Sequence, residues 1–158
     1  MTRLNPWTIR EVNDNAVGWI SGRIIGAPPL VAPYSKRPCF CYRAFVEGTG
    51  DSRESVDELM IADDTGRAII ELAGATIQVE LDHTSQGPST KTRDGRTIEG
   101  PVRREGILGP DELIAVHGAC RWEMDPRPEQ TVLYRDPAPR RLRVTGGPRI
   151  QLWVTERL

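Results

Sequence analysis

Cysteine, histidine, lysine and long apolar runs are all scarce in this 158-residue chain, and each scarcity closes off a class of protein. The three cysteines, Cys39, Cys41 and Cys120, form no disulfide framework and include no C-x-x-C pair. Cys39 and Cys41 stand too close in an extended strand to bridge each other, so a reducing, cytoplasmic setting is expected. The N-terminus, Met1 to Trp7, has no apolar signal core, and no run approaches the roughly 20 apolar residues a membrane helix needs. The expectation is a soluble chain. An excess of one charge is missing too: 21 basic and 22 acidic residues leave a formal net charge of −1. A dedicated nucleic-acid binder would carry a basic surplus to meet phosphates. Lysine occurs only as Lys36 and Lys91, a bias towards arginine that genome composition explains as well as phosphate binding does.

What is present is turn chemistry and short alternating runs. With 38% hydrophobic and 27% charged residues the composition is that of a globular protein, and the length suits a single domain over 1–158. Asn5-Pro6 is placed to cap and open a short helix running to Val12. Val17 to Ile25 alternates as a strand interrupted by glycine, the mark of a bend or close backbone approach. Pro28, Pro29 and Pro33 then delay pairing until Pro38, and a strand opens at Cys39 and runs to Glu47. Asp63-Asp64-Thr65-Gly66 between two apolar runs reads as a hairpin turn. Thr76 to Asp82 alternates as a half-buried strand. The polar stretch 83–104 reads as a long mobile loop. Leu113 to Trp122 is a strand, with short closing strands at Val132–Tyr134, Arg141–Val144 and Ile150–Val154. About seven short strands and many Gly/Pro turns imply an all-β fold. The expected form is a small, partly open β-barrel, OB-fold-like, with a two-sheet sandwich as the alternative.

The pattern G-x-I-x-x-x-x-P-L-x-A-P-x-S-x-x-P-C-x-x-Y-R-x-x-V-E, carried by Gly22, Ile24, Pro29, Leu30, Ala32, Pro33, Ser35, Pro38, Cys39, Tyr42, Arg43, Val46 and Glu47, resembles the GIDE (or BAM, beside-a-membrane) domain. Asp63-Asp64-Thr65-Gly66-Arg67-Ala68 and Glu105-Gly106-Ile107-Leu108 follow in the family's order. The resemblance implies a β-rich, non-catalytic binding domain near a membrane. The chain departs from the ubiquitin ligases of that family: it carries neither their membrane helices nor a RING, for which three cysteines and two histidines are too few ligands. Ligase activity is therefore not implied.

No set of side chains converges on a reaction. Cys39, Cys41, His117 and Cys120 invite a zinc site, but residues 117 and 120 of one strand point to opposite faces. Neither a metal nor a cofactor is expected. Asp63-Asp64 suits a turn better than acid/base chemistry, and His117 suits a hydrogen-bonded barrel position. Ser21, Ser35 and Ser55 have no spacing that ties them to His83 as nucleophiles. One charge asymmetry stands out: Arg121, Arg127, Arg135, Arg140, Arg141, Arg143 and Arg149, with Trp122, Tyr134 and Trp153 among them. The candidate recognition surface is thus Pro33, Ser35 and Arg37 of the proline-rich turn with Arg121, Trp122, Arg141, Arg143 and Trp153. The functional expectation is a non-enzymatic module that recognises a protein partner. Single-stranded nucleic-acid binding through the Arg/aromatic face is the second reading, and an uncharacterised hydrolase the third.

Overall fold

Ile20, Gly22 and Ile24 alternate with Trp19, Ser21 and Arg23, and this two-residue period builds β1 (Val17–Ile25) with its apolar side buried. The computed structural model describes residues 5–126, 140–146 and 152–156. In it β1 is one stave of a five-stranded barrel completed by β6 (Glu58–Asp63), β7 (Gly66–Glu71), β13 (Leu113–Met124) and β14 (Arg140–Thr145). Around the barrel the order is β1-β6-β7-β14-β13 and back to β1, antiparallel throughout except for the parallel β7–β14 pair. Counted along the chain, that is first, second, third, fifth, fourth: the connectivity of an OB-fold-like barrel. It closes fully where a partly open form was expected. The reason is the length of β13, whose residues 113–119 pair with β1 while 119–124 pair with β14.

Glycine makes the closure possible. A Cβ on Gly22 would lie 2.8 Å from the Ala62 carbonyl oxygen of β6. One on Gly118 would lie 2.7 Å from Leu152 Cδ1 and 2.8 Å from Val144 Cγ1. Inside are Ile20, Ile24, Ile61, Ile70, Ile114, Val116, Leu142 and Val144, all fully buried. Two short strands extend the wall beyond β13: β15 (Trp153–Thr155), and β8 (Thr76–Gln78) parallel to it. The expected half-buried strand over 76–82 stops at Gln78.

The expected helix over Asn5–Val12 shrinks to a single 3-10 turn, Ile9–Glu11. Trp7 bridges to Ile20 instead, and its ring lies over Gly18. The turn is tied to the β6–β7 hairpin by Asp63. Its carboxylate accepts the Ile9 N–H at 2.8 Å, the Thr65 N–H at 2.7 Å and hydroxyl at 2.6 Å, and the Gly66 N–H at 3.0 Å. This is the turn role expected of Asp63.

These elements make one compact unit, Met1–Gly26, Asp57–Gln78 and Asp111–Leu158; a second comprises Ala27–Val56 and Val79–Pro110. The second is built on an antiparallel sheet, β5 (Gly50–Ser55), β4 (Cys41–Val46), β12 (Val102–Leu108) and β9 (His83–Gln86), in that order. A ribbon joins β2 (Leu30–Val31) to β3 (Pro38–Cys39), and another joins β10 (Thr90–Lys91) to β11 (Thr97–Ile98). The strand expected to open at Cys39 is interrupted by a bend at Phe40, which splits β3 from β4. Stretch 83–104 was expected to be a loop, yet it holds β9, β10, β11 and the start of β12. Backbone pairing needs no apolar side chain, and the threonines here favour extended backbone. Polar composition concealed the strands.

Substituting Gly22→Ala should force β1 away from β6 and cost about 1–3 kcal/mol, read as a lower urea midpoint. Gly48→Ala serves as a control for an open site, because no atom lies within 4 Å of a Cβ there; positive φ (80°) at Gly48 confines its effect to local strain.

Candidate functional site

On the barrel's outer surface, alternation places Arg141 and Arg143 of β14 outward, because Leu142 and Val144 fill the interior. These arginines are not free. Arg143 donates from Nη1 to Glu58 and to Glu71, each at 2.7 Å, and from Nε and Nη2 to Glu123 at 2.9 and 3.0 Å. Arg141 Nε reaches Glu123 at 2.7 Å. Glu58 and Glu71 are direct cross-strand partners in β6 and β7. Two like charges so placed repel, and the Arg143 guanidinium offsets them. Bonding to Glu123 first and Glu58 second holds the Arg143 pKa above its ordinary value. In return, Arg143 holds the Glu123 carboxyl below the usual carboxylate range. The face expected to be basic is an interlocked Arg/Glu lattice.

Arg121 is exposed, is the register partner of Arg143, and makes no ion pair among the described residues. With Asn15, Val17, Glu71, Arg143 and Thr145 it lines a shallow cleft of about 390 Å³. Trp122 is directed elsewhere. Its indole N–H donates to the Val12 carbonyl at 2.7 Å and its backbone N–H to Asp14 at 2.9 Å, so it pins the N-terminal segment instead of offering a stacking face.

Trp153 does lie on the surface, 38% exposed, in a row no sequence pattern announced. His117 is register partner to Trp19 of β1 on one side and to Trp153 of β15 on the other. Cross-strand partners share a face, and the Trp19 and His117 rings lie 5.2 Å apart at 53°. His117 points outward, and its buried Nδ1 has no hydrogen-bond partner, contrary to the hydrogen-bonded role expected of it.

In the second unit the proline-rich turn is held by Glu105. This carboxylate, fully buried on β12, accepts the Tyr34 N–H at 2.8 Å, the Ser35 N–H at 3.0 Å and the Ser35 hydroxyl. A buried charge needs such partners to persist. Ser35 Oγ also accepts Arg37 Nε at 2.8 Å, and Arg37 forks onto Asp82 at 2.9 and 3.1 Å. That bidentate pair lowers the Asp82 pKa and raises that of Arg37. Ser35 and Arg37 are therefore brought together, with Pro33 on the same half-buried turn. The Ser35 hydroxyl is thus held between the Glu105 carboxylate and the Arg37 guanidinium, and no hydrogen bond joins Ser35 to His83. In the sequence Glu105 stands only as part of the family pattern, and neither its anchoring role nor that of Asp82 is read there. The one available signal was a Glu-Gly pair inside a strand: a Cβ on Gly106 would lie 2.1 Å from the Glu80 carbonyl oxygen.

All three cysteines are buried thiols. Burial pushes Cys41 and Cys120 up to about 11, away from the reactive thiolate. Among the described residues no three His, Cys, Asp or Glu side chains converge as metal ligands, and no helix is long and apolar enough to cross a membrane. Arg127, Tyr134, Arg135 and Arg149, and the strand expected at Val132–Tyr134, lie outside the described residues. No protein-family model, curated protein or solved structure matches the chain.

Truncation Glu105→Ala strands the Tyr34 and Ser35 amides. Each orphaned donor costs about 1–3 kcal/mol, so hydrogen exchange at both amides should accelerate sharply. A pH dependence follows from three hydrogen-bonded carboxylates, one of them in the lattice. Glu123, Asp82 and Asp63 all have folded pKa values below their unfolded ones; at Asp63, burial pushes upward but the Thr65, Ile9 and Gly66 bonds outweigh it. Their stabilisation is present above the unfolded values, about 4, and is lost as pH falls through the folded ones. The urea midpoint should stay level from about pH 7 to 5 and drop below about pH 4, less steeply in Arg143→Met.

Proposed function

We propose that the chain is a non-enzymatic β-barrel module that recognises a protein partner through the outer face of β1, β13 and β15. The observation that carries this reading is the Trp19–His117–Trp153 row. Flanking it on the same face are Val17 opposite Ala119, and Ser21 opposite Ala115; Ala115 and Thr155 beyond it are buried, so the accessible patch ends at Ser21 on that side. No charged side chain stands in these rungs. Val17 is 44% exposed and Trp153 38% exposed, while Arg23 and Arg121 bound the patch at either end. An aromatic centre with a polar rim is the arrangement that concentrates binding energy in protein interfaces. Resemblance to the GIDE domain supports the same reading, and we propose that the chain is a domain of that type.

The Arg/Glu lattice argues against single-stranded nucleic acid on β14, because phosphates would have to displace Glu58, Glu71 and Glu123 from Arg143.

A photo-crosslinking residue placed at Trp153 should capture protein in cells, and one placed at Arg53 on exposed β5 should not. Trp153→Ala should weaken binding of the captured protein by at least about tenfold, in keeping with loss of an interface aromatic worth about 2 kcal/mol, while circular dichroism stays unchanged. Equal capture from both positions, or binding indifferent to Trp153→Ala, would overturn the reading.

A further inference from the structure

Positive charge in this near-neutral chain is concentrated locally. Between residues 88 and 104 stand Lys91, Arg93, Arg96, Arg103 and Arg104 against Asp94 and Glu99. The centre of that stretch is the β10–β11 ribbon, where Thr90 pairs with Ile98 and Lys91 with Thr97. From Pro88 to Glu99 every residue except Thr92 is exposed. Its tip is well defined: the Thr92 N–H donates to the Arg96 carbonyl at 2.8 Å and the Gly95 N–H to Thr92 at 3.0 Å. Gly95 takes the positive φ, 83°, that the turn requires. Asp94 accepts the Thr92 hydroxyl and faces Arg96 Nε at 3.4 Å, in a pair whose side chains are 85% and 61% exposed. So open a contact contributes little and exchanges readily for another anion.

The base of the ribbon is tightly packed. The Gly87 N–H donates to the Pro101 carbonyl at 2.8 Å, and a Cβ on Gly100 would lie 2.1 Å from the Gly87 carbonyl oxygen. The two backbones cross in contact, and only glycines permit it. Arg103 is held over the Tyr34 ring at 4.8 Å, which leaves Lys91, Arg93 and Arg96 as the cations at the tip.

We propose that this ribbon is an arm that grips the phosphate backbone of double-stranded DNA, independently of the protein-binding face on β1, β13 and β15. A two-stranded ribbon fits the major groove of B-form DNA, whereas the deep, narrow major groove of A-form RNA excludes it. Stretch 84–104 contains no aromatic residue, so it has no platform on which unpaired bases would stack. Ile98, 54% exposed, is the one large apolar side chain the arm presents, too little to anchor it in a bilayer. Arginine forks and a lysine ammonium matched to phosphates bind without reading sequence.

The test is a fluorescence-anisotropy titration of the full chain against a labelled DNA duplex of roughly two helical turns. Three phosphate contacts predict a log K against log salt slope of about −2.7, so affinity falls about 40-fold between roughly 50 and 200 mM salt. The triple substitution Lys91→Ala, Arg93→Ala, Arg96→Ala should remove binding, and Arg53→Ala on exposed β5 should leave it unchanged. Arg93→Glu alone should weaken it at least tenfold, a second readout if the triple variant folds poorly. A flat duplex titration at low salt would overturn the proposal. So would tighter binding to the single strand, to duplex RNA or to phosphatidylserine vesicles, or equal losses from Arg53→Ala.

Discussion

Everything in the first unit depends on one strand pairing on both of its edges. β13 takes β1 along one edge and β14 and β15 along the other, and the barrel closes only because twelve consecutive residues can do this without a break. Closure removes the unpaired edge that an open sheet exposes. It also sets the alternation: Ile114, Val116, Gly118 and Cys120 go inward, so Leu113, His117, Ala119 and Arg121 face out. The aromatic row and the cleft both follow from that parity.

Charge is organised by the same geometry. The parallel β7–β14 pair and the β6–β7 hairpin bring Glu58, Glu71 and Arg143 to one patch of the outer wall, and β13 adds Glu123. None of these residues is close to Arg143 in sequence. The lattice pairs Arg141 and Arg143 of β14 with acidic partners, whereas the two proposed recognition surfaces are an uncharged aromatic one on the barrel and a basic one on the ribbon of the second unit.

The second unit solves a different problem. Its proline-rich turn lies between β2 and β3, where the Tyr34 and Ser35 amides have no strand to pair with. Glu105 supplies acceptors in place of a neighbouring strand, and Ser35 hands the interaction on to Arg37 and Asp82. A buried carboxylate is costly unless its lone pairs are occupied. The turn meets that need and is ordered by it.

The all-β class, the barrel type, β1, the β6–β7 hairpin with its Asp63 turn, and β13 were legible in the chain. Each of these is local, written in two-residue periodicity or in turn chemistry. Stretch 83–104 and the N-terminal turn were misread because polar strands lack a hydrophobic period, and because Trp7 and Asp63 override a capping signal. The partners of the candidate residues emerge only in the folded chain. That Arg143 is neutralised, Trp122 occupied, Ser35 locked and Trp153 exposed beside His117 depends on partners dozens of residues away. Long-range register sets such pairings, and a linear pattern does not encode it.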